Sequence, residues 1–369
     1  MISLKQSNFI ITSIIIACTF IPFSQLSGAD RLKKIPLAKN ISVATCDKLD
    51  ITADGKVSLI PIKTEEYLLP SRMHFAGASE GILYLYNNDY IISIDERTGT
   101  ITQKIDRKGN GPEEYITILS ASIDTKEKTI IIYDPQKNKI IKYDYYGKFI
   151  GVQKFEENGT VVVMPDGNYI ICYKPYSSKQ NLYGIYDSEG KLIRESKSKR
   201  VDERSRIIAY NMAQNFNNNS FICQTNIDTL TCISSSNEYP MIYMDLGKYH
   251  MPDKYRKSIE LMNNNIDRYI SISDLNIVKE YLFIGYHYDK KLYRDIWNIN
   301  KSELLSRSIL EKSDDRFGFP VKVNGTIVYC WCDFTHNNSL YCILPHWESV
   351  KVFPNIKEED NPVLMKITF

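Results

Sequence analysis

Residues Tyr143–Ile150 read Tyr-Asp-Tyr-Tyr-Gly-Lys-Phe-Ile, and the pattern returns 43 residues later at Tyr186–Ile193 as Tyr-Asp-Ser-Glu-Gly-Lys-Leu-Ile. A looser copy, Ile-Asp-Glu-Arg-Thr-Gly-Thr-Ile, occupies Ile94–Ile101. In each copy the aspartate can accept backbone hydrogen bonds and the glycine can adopt a positive φ, which is the chemistry of a tight turn between antiparallel strands. The chain therefore repeats a strand–turn–strand unit.

Apolar runs with strand composition accompany this unit along the chain. They occur at Ile82–Tyr86, Ile130–Tyr133, Tyr169–Tyr173, Tyr281–Ile284 and Thr326–Trp331. A repeat period in the forties with several short strands per unit is typical of a β-propeller. The 276 residues from Ser71 to His346 divide into six units of 46, whereas seven units would be too short for four strands each. We therefore predict an all-β fold, a six-bladed β-propeller of four-stranded antiparallel blades.

Two segments depart from the repeat. Pro252–Tyr269 places Tyr255, Ile259, Met262 and Ile266 at helical spacing, which predicts one short helix inserted between blades. The segment from 196 to 206 is strongly charged and is predicted to be a solvated loop.

The charge balance argues against two classes of partner. The 369 residues contain 46 Lys and Arg against 44 Asp and Glu, a formal net charge of +2. Such a balance creates no whole-protein field that would attract nucleic acid or an anionic membrane surface. We therefore expect no nucleic-acid partner, and contact with a membrane only through a lipid anchor.

The N-terminus has the pattern of a secretory signal. Lys5 precedes the apolar stretch Phe9–Phe23, which is too short to span a bilayer comfortably, and small residues follow at Ser27–Ala29. This pattern predicts cleavage after Ala29. An alternative is lipidation of Cys18, because Ile15–Cys18 resembles a bacterial lipobox. Residues 1–29 are thus a predicted signal segment, 30–56 a lead-in and 57–369 the propeller. The protein is expected to be exported to the periplasm or cell envelope.

Four segments carry a family resemblance. They are Gly109–Tyr115 (Gly-Asn-Gly-Pro-Glu-Glu-Tyr), Ile132–Lys148 with its Ile-Tyr-Asp and Lys-Ile-Ile-Lys-Tyr-Asp-Tyr-Tyr-Gly-Lys elements, Glu358–Met365, and Val57–Ile62. In these segments the sequence resembles the exported six-bladed β-propeller proteins of Bacteroides-type bacteria, which are related to the NHL-repeat type. The resemblance spans nearly the whole mature chain and weakens from 211 to 316. It implies the fold and the compartment, and no established activity.

Candidate binding residues follow from how blades connect. The loop from one blade's outermost strand to the next blade's innermost strand lies on one face of a propeller, and residues 107–114 form such a connection. A phosphate-binding loop is rejected for this segment, because the residues after Pro112 read as a strand and not as a helix. The expected ligand-binding residues at the rim of the central channel are Arg72, His74, Arg107, Glu113 and Glu114.

Three functions remain open on the sequence. The preferred hypothesis is a non-enzymatic binding or scaffold propeller that presents its channel face to a glycan, a peptide or a protein. The alternative is a propeller-fold lyase or hydrolase acting on a polysaccharide or a lactone-like substrate, and a structural role in envelope assembly comes third. Catalytic residues are not identified, and the sequence predicts no cofactor.

Cysteine and histidine give one disulfide hypothesis and no metal prediction. Residues 220–224 and 230–233 read as a hairpin in which Cys223 and Cys232 are equidistant from its turn, so a cross-strand disulfide is one hypothesis and two buried thiols are the other. No histidine pair has zinc-protease spacing. A cluster near the C-terminus lacks the spacing of a closed metal site, so no metal is predicted; its members are Cys330, Cys332, His336, Cys342 and His346.

Overall fold

The computed structural model describes residues 32–47, 55–64, 67–70, 73–155, 159–173, 181–197, 211–216, 219–224, 228–255, 259–311 and 318–369. The predicted signal segment, with Cys18, lies outside the described residues, as does most of the predicted charged loop at 196–206. Within the described ranges, no helix has the length and apolar character needed to cross a bilayer.

Four elements precede the first blade. They are β1 (Lys33–Ile35), α1 (Leu37–Asn40), β2 (Cys46–Asp47) and β3 (Lys56–Pro61). The blades then follow in chain order. Blade 1 contains β4–β7 (His74–Ser79, Ile82–Tyr86, Ile91–Asp95, Ile101–Ile105). Blade 2 contains β8–β11 (Ser120–Asp124, Thr129–Asp134, Lys139–Asp144, Phe149–Lys154). Blade 3 contains β12–β15 (Gly159–Val163, Tyr169–Tyr173, Tyr183–Tyr186, Leu192–Glu195).

The second half of the ring carries insertions. Blade 4 contains β16–β19 (Asn211–Phe216, Asn219–Gln224, Thr229–Ile233, Glu238–Met244). The predicted inserted helix follows as α2 (Ile259–Asn263), flanked by 3-10 turns at Gly247–Tyr249, Asp253–Tyr255 and Ile266–Arg268. Blade 5 contains β20–β23 (Ser271–Val278, Tyr281–Tyr288, Lys291–Asn298, Glu303–Glu311). The last elements are β24–β25 (Phe319–Val323, Thr326–Cys330), β26–β27 (Phe334–His336, Ser339–Leu344), α3 (His346–Val352) and β28 (Val363–Thr368).

The sixth blade closes the ring with strands from both ends of the chain. Its order is β26-β27-β28-β3, so the outermost strand comes from the N-terminal region. Strands β3 and β28 pair antiparallel over six residues, from Lys56 opposite Thr368 to Pro61 opposite Val363. The innermost strands β4, β8, β12, β16, β20 and β26 surround the centre. The predicted six-bladed propeller of four-stranded antiparallel blades is confirmed.

One predicted blade strand belongs elsewhere. The apolar run at Thr326–Trp331 forms β25, which pairs only with β24 in a two-stranded hairpin. This hairpin lies in the chain between blades 5 and 6, and the strands of blade 6 come after it. One face of β25 is packed, since Val328 and Cys330 are fully buried, whereas Ile327 on the other face is 53% exposed.

The lead-in runs along the outer edges of two blades. Strand β1 pairs parallel with β19 of blade 4, and β2 pairs antiparallel with β23 of blade 5, so both blades become five-stranded. Arg307 of β23 holds this segment in place. Its Nη1 donates hydrogen bonds to the carbonyl oxygens of Asn40 and Val43, while Nε and Nη2 bind the buried Asp295 carboxylate at 2.7 and 2.5 Å.

The hypothesis of a Cys223–Cys232 disulfide is not supported by the strand register. Strand β18 pairs with β17 so that Cys232 lies opposite Phe221, which puts Cys223 at a diagonal position two residues away. Both cysteine side chains are buried. Two cysteines at equal distance from the turn face each other only when the strands pair symmetrically about it. The register of β17 and β18 is displaced by two residues from that symmetric pairing.

Candidate functional site

The loop between blades 1 and 2 is built around a glutamate that folds back on its own backbone. Glu114 Oε2 accepts a hydrogen bond from the Gly111 amide at 2.7 Å. A Cβ atom at Gly109 would lie 2.1 Å from Glu114 Oε2, and one at Gly111 would lie 3.0 Å from it. A side chain at either glycine would therefore displace the Glu114 carboxylate from this position.

Two lysines of blade 2 hold the loop from outside. Lys137 Nζ donates to the carbonyl oxygens of Gly109 and Gly111 at 2.9 and 3.3 Å, and Lys139 Nζ donates to those of Pro112 and Glu114 at 3.0 and 2.7 Å. Burial and the neighbouring Lys137 lower the pKa of Lys139. The hydrogen bonds to the loop carbonyl oxygens thus offset the free-energy cost of desolvating two ammonium groups. They also hold the loop against the third strand of blade 2, which Lys139 begins.

Two buried tyrosines fix the loop from inside. Tyr115 is fully buried, and its hydroxyl donates to the carbonyl oxygens of Asp89 and Ile105 at 2.9 and 3.1 Å. The Tyr143 hydroxyl donates to the carbonyl oxygen of Glu113 at 2.5 Å. Burial raises the pKa of Tyr143 to about 12, against the opposing influence of the nearby Arg107. Both phenols therefore stay protonated at neutral pH and keep donating.

The repeated turn that marks the fold forms the opposite wall. Asp144 Oδ1 accepts hydrogen bonds from the amides of Tyr146 and Lys148 at 2.9 and 2.8 Å, and Gly147 adopts a φ of 75°. This geometry is the aspartate-and-glycine turn that the sequence predicts. It projects Tyr146 outward with 87% of its surface exposed.

A groove of about 380 Å³ lies between this loop and this turn, lined by Arg107, Glu113, Tyr146, Gly147, Lys148 and Phe149. Arg107, Glu113 and Lys148 are exposed. Among the described residues, these three side chains form no ion pair with one another or with a neighbour. The groove therefore presents two cations, one carboxylate and an exposed phenol to a ligand, on walls that internal hydrogen bonds hold rigid.

The structure brings together only some of the predicted site residues. Arg107 and Glu113 line the groove, whereas Glu114 is turned into its own loop. His74 begins β4, away from the groove, with its ring 5.4 Å from that of Tyr86. Arg72 lies outside the described residues. Sequence reasoning missed Tyr146, Lys148 and Phe149, although the repeat that contains them was recognised.

The groove does not lie at the rim of the central channel, which is where the sequence analysis places Arg107 and Glu113. Its second wall belongs to the turn before β11, the outermost strand of blade 2. Near the channel, inner strands are joined to neighbouring blades: the amides of Val161 and Val163 donate to Ser120 and Ser122 hydroxyl oxygens at 3.0 and 3.1 Å. Hydrogen bonds from the ammonium groups of Lys137 and Lys139 to backbone carbonyl oxygens hold the loop in this outward position.

Comparison with known families identifies the chain. A family model described as a domain of unknown function, DUF4934, matches residues 32–368, which covers every blade and the lead-in. The chain belongs to the DUF4934 family. Comparison with curated proteins gives no match.

Solved structures share the fold of this DUF4934 protein. A Bacteroides fragilis protein described as exported aligns with a TM-score of 0.68 and 15% identity, over 92% of this chain and 99% of that chain. A DUF4221-family member from Bacteroides vulgatus aligns with a TM-score of 0.51 and 13% identity, over 85% and 96% of the two chains. The predicted resemblance to exported Bacteroides propellers is confirmed. At these identities the likeness shows the fold alone.

We expect Gly109→Ala to lower the free energy of unfolding of the DUF4934 domain by about 1 kcal/mol, because the new methyl group displaces the Glu114 carboxylate from the hydrogen bond that it accepts from the Gly111 amide. Urea unfolding monitored by circular dichroism measures the change. Gly151→Ala is the matched control, since a Cβ there has no neighbour within 4 Å. In the background of Glu114→Ala the loss caused by Gly109→Ala should shrink, and strict additivity of the two losses would contradict the packing described here.

Proposed function

We propose that this protein is an exported, non-enzymatic binding propeller that holds an anionic glycan in the groove between blades 1 and 2. The observation that carries the proposal is the arrangement of Arg107, Lys148 and Tyr146 on an open groove, with both cations without an ion-pair partner among the described residues.

The chemistry of the groove fits a sugar that bears a carboxylate. The Arg107 guanidinium can donate two parallel hydrogen bonds to a carboxylate, and Lys148 adds a second positive charge. The Tyr146 side chain offers an apolar ring face and a polar tip, a combination suited to an amphipathic ligand such as a sugar ring. The Glu113 carboxylate can accept hydrogen bonds from sugar hydroxyls. The groove volume of about 380 Å³ lies within the usual range for small-ligand sites, roughly 300–1,000 Å³.

Rigidity of the walls supports binding. The loop backbone is fixed by Lys137, Lys139, Tyr115 and Tyr143, so little conformational freedom is lost when a ligand enters. Catalysis of the glycosidase type needs two carboxyl groups across a cleft. Glu113 is the one carboxylate among the residues that line this groove, which favours binding over hydrolysis.

Export is the compartment that two observations support. The N-terminal residues have a signal-like pattern of one lysine, an apolar stretch and small residues. The aligned Bacteroides fragilis protein is described as exported. An exported glycan-binding propeller would meet polysaccharide outside the cytoplasm.

Isothermal titration of the full-length chain with trigalacturonic acid tests the proposal. We expect Arg107→Ala to weaken binding about tenfold or more, because a charged hydrogen bond of this kind is worth roughly 1.5–3 kcal/mol. Lys148→Ala and Tyr146→Ala should weaken it less, and binding should fall as salt is raised. Lys126→Ala, an exposed lysine on a turn outside the groove, is the control.

A neutral galactose trimer should bind much more weakly than the acidic trimer. Equal binding of both sugars, equal affinity of the Arg107→Ala variant, or turnover of the acidic sugar would contradict the proposed function. If an acidic peptide binds to the groove and neither sugar does, the ligand class is a peptide and the glycan proposal is wrong.

A further inference from the structure

The outer face of the β24–β25 hairpin is open to solvent and largely apolar. Its inner side chains, Val321 and Val328 among them, belong to a buried hydrophobic cluster. On the outer face Ile327 is 53% exposed, Tyr329 is half-buried, and the exposed Lys322 lies opposite Ile327 across the hairpin. Because successive side chains of a strand point to opposite faces, Ile327 and Tyr329 share the solvent side.

The short helix α3 extends this outer face. Glu348 Oε2 accepts a hydrogen bond from the Tyr329 amide at 2.9 Å, so α3 covers the free edge of β25. Lys351 Nζ lies 5.7 Å from the centre of the Tyr329 ring. Trp347 comes four residues before Lys351, on the same side of the helix, and is 56% exposed. These side chains form one surface, the aromatic face, which consists of Lys322, Ile327, Tyr329, Trp347 and Lys351.

Trp331 follows the hairpin and is held at the surface by a cation. The centre of its ring lies 4.3 Å from the guanidinium carbon of Arg294, which is buried and forms an ion pair with Asp274. The Trp331 side chain nevertheless remains 38% exposed. A cation–π contact from inside the protein therefore fixes this ring beside the aromatic face.

The charge that borders the aromatic face is positive. Residues 319–330 and α3 contain two lysines, Lys322 and Lys351, and a single acidic residue, Glu348. Glu348 is only 1% exposed, because its carboxylate is turned inward to the Tyr329 amide and to Lys351 Nζ, which lies at 2.7 Å. Both lysines are exposed. The charged groups that these two elements present to solvent are thus ammonium groups.

We propose that the aromatic face docks the folded protein on a lipid bilayer that contains anionic headgroups. Tryptophan and tyrosine rings are amphipathic and favour the boundary between headgroups and acyl chains. Lysines beside them keep their ammonium groups at the level of the anionic headgroups, with their alkyl stems along the apolar surface. The net charge of the chain does not reveal this contact, because the face is local and its attraction to lipid is mainly hydrophobic.

Two observations favour a bilayer over other occupants of the aromatic face. The exposed alkyl group of Ile327 has no polar atom with which to bind a sugar hydroxyl, whereas it can enter the acyl region. A peptide that adds a strand to a sheet needs a free edge, and α3 occupies that edge of β25 through the Glu348–Tyr329 hydrogen bond.

Tryptophan fluorescence of the full-length chain tests the proposal. The chain has three tryptophans, of which Trp297 is fully buried, and the N-terminal stretch Phe9–Phe23 contains none. The protein is mixed with vesicles of equal parts phosphatidylethanolamine and phosphatidylglycerol, whose acyl chains carry bromine as a short-range quencher. In the Trp331→Phe variant we expect the Trp347 emission to be lost and the Trp297 emission to remain. The Trp331→Phe/Trp347→Phe double variant should show no quenching.

Two isoleucines provide a matched pair of variants for sedimentation with the same vesicles without bromine. Ile327→Ala should weaken partitioning about fivefold, the loss expected when about 40 Å² of apolar surface no longer leaves water. Ile193→Ala is the control, because Ile193 is 45% exposed on β15 of blade 3, three blades away from blade 6. Lys322→Glu should weaken partitioning into these anionic vesicles and leave partitioning into phosphatidylcholine vesicles nearly unchanged.

Three outcomes would overturn the proposal. One is Trp347 emission that bromine does not quench at a saturating concentration of lipid. Another is equal partitioning of the Ile327→Ala and Ile193→Ala variants, which would show that a different part of the chain binds the vesicles. The third is a lipid-free dimer, observed by sedimentation equilibrium, that Ile327→Ala dissociates, because the aromatic face would then bind a second copy of this chain.

Discussion

A chain that begins at Lys63 is expected to lose the folded ring. It lacks β3, so the six-residue pairing with β28 disappears and blade 6 keeps three strands. Strand β28 carries Val363, Leu364 and Met365, all fully buried, and its backbone would become an exposed edge. We expect aggregation or non-cooperative thermal unfolding, observed by size-exclusion chromatography and circular dichroism.

Two longer chains serve as controls for this truncation. A chain that begins at Leu32 keeps every described element and should unfold as the full-length chain does. A chain that begins at Gly55 keeps β3 and loses β1, α1 and β2, so it should fold with a lower Tm. A cooperative, monomeric chain that begins at Lys63 would show that β3 does not close the ring.

Arg307→Ala should lower the free energy of unfolding by about 3–5 kcal/mol, because it leaves the buried Asp295 carboxylate without its cation. Both side chains of this pair are 0% exposed. The substitution also removes the donor that binds the carbonyl oxygens of Asn40 and Val43, which holds the lead-in on blade 5. Urea unfolding of the two proteins measures the loss.

Lys128→Ala is the matched control for Arg307→Ala. Lys128 also pairs with a carboxylate, Glu80, but both side chains of that pair are 63% exposed. Exposed pairs contribute little to stability, so this variant should unfold almost as the wild type does. Equal losses in the two variants would contradict the buried position of the Arg307–Asp295 pair.

The repeated turn predicts most of the fold because its chemistry is local. Asp144 and Gly147 make a turn whose hydrogen bonds join residues within four positions of each other, so the pattern is visible in the sequence. Ring closure depends on β3 and β28, which are some 300 residues apart and have no special turn chemistry. The pairing of β1 and β2 with blades 4 and 5 is non-local in the same way.

The candidate site was predictable in part. The loop between blades 1 and 2 was recognised, and two of its charged side chains, Arg107 and Glu113, do line the groove. The outward direction of the loop depends on hydrogen bonds from Lys137 and Lys139, whose partners are carbonyl oxygens that any sequence has. The role of Glu114 differs from that of Glu113 because two glycines make space for it, a contact that adjacent glutamates in a sequence do not reveal.

Hydrogen exchange of the full-length chain, measured by mass spectrometry with and without trigalacturonic acid, tests the central claim most directly. If the groove between blades 1 and 2 binds the acidic sugar, exchange slows at residues 107–115 and 145–150 and is unchanged in the other blades. Slowing that is confined to other blades, or no slowing at a saturating concentration of the sugar, would contradict the assignment of this groove as the binding site.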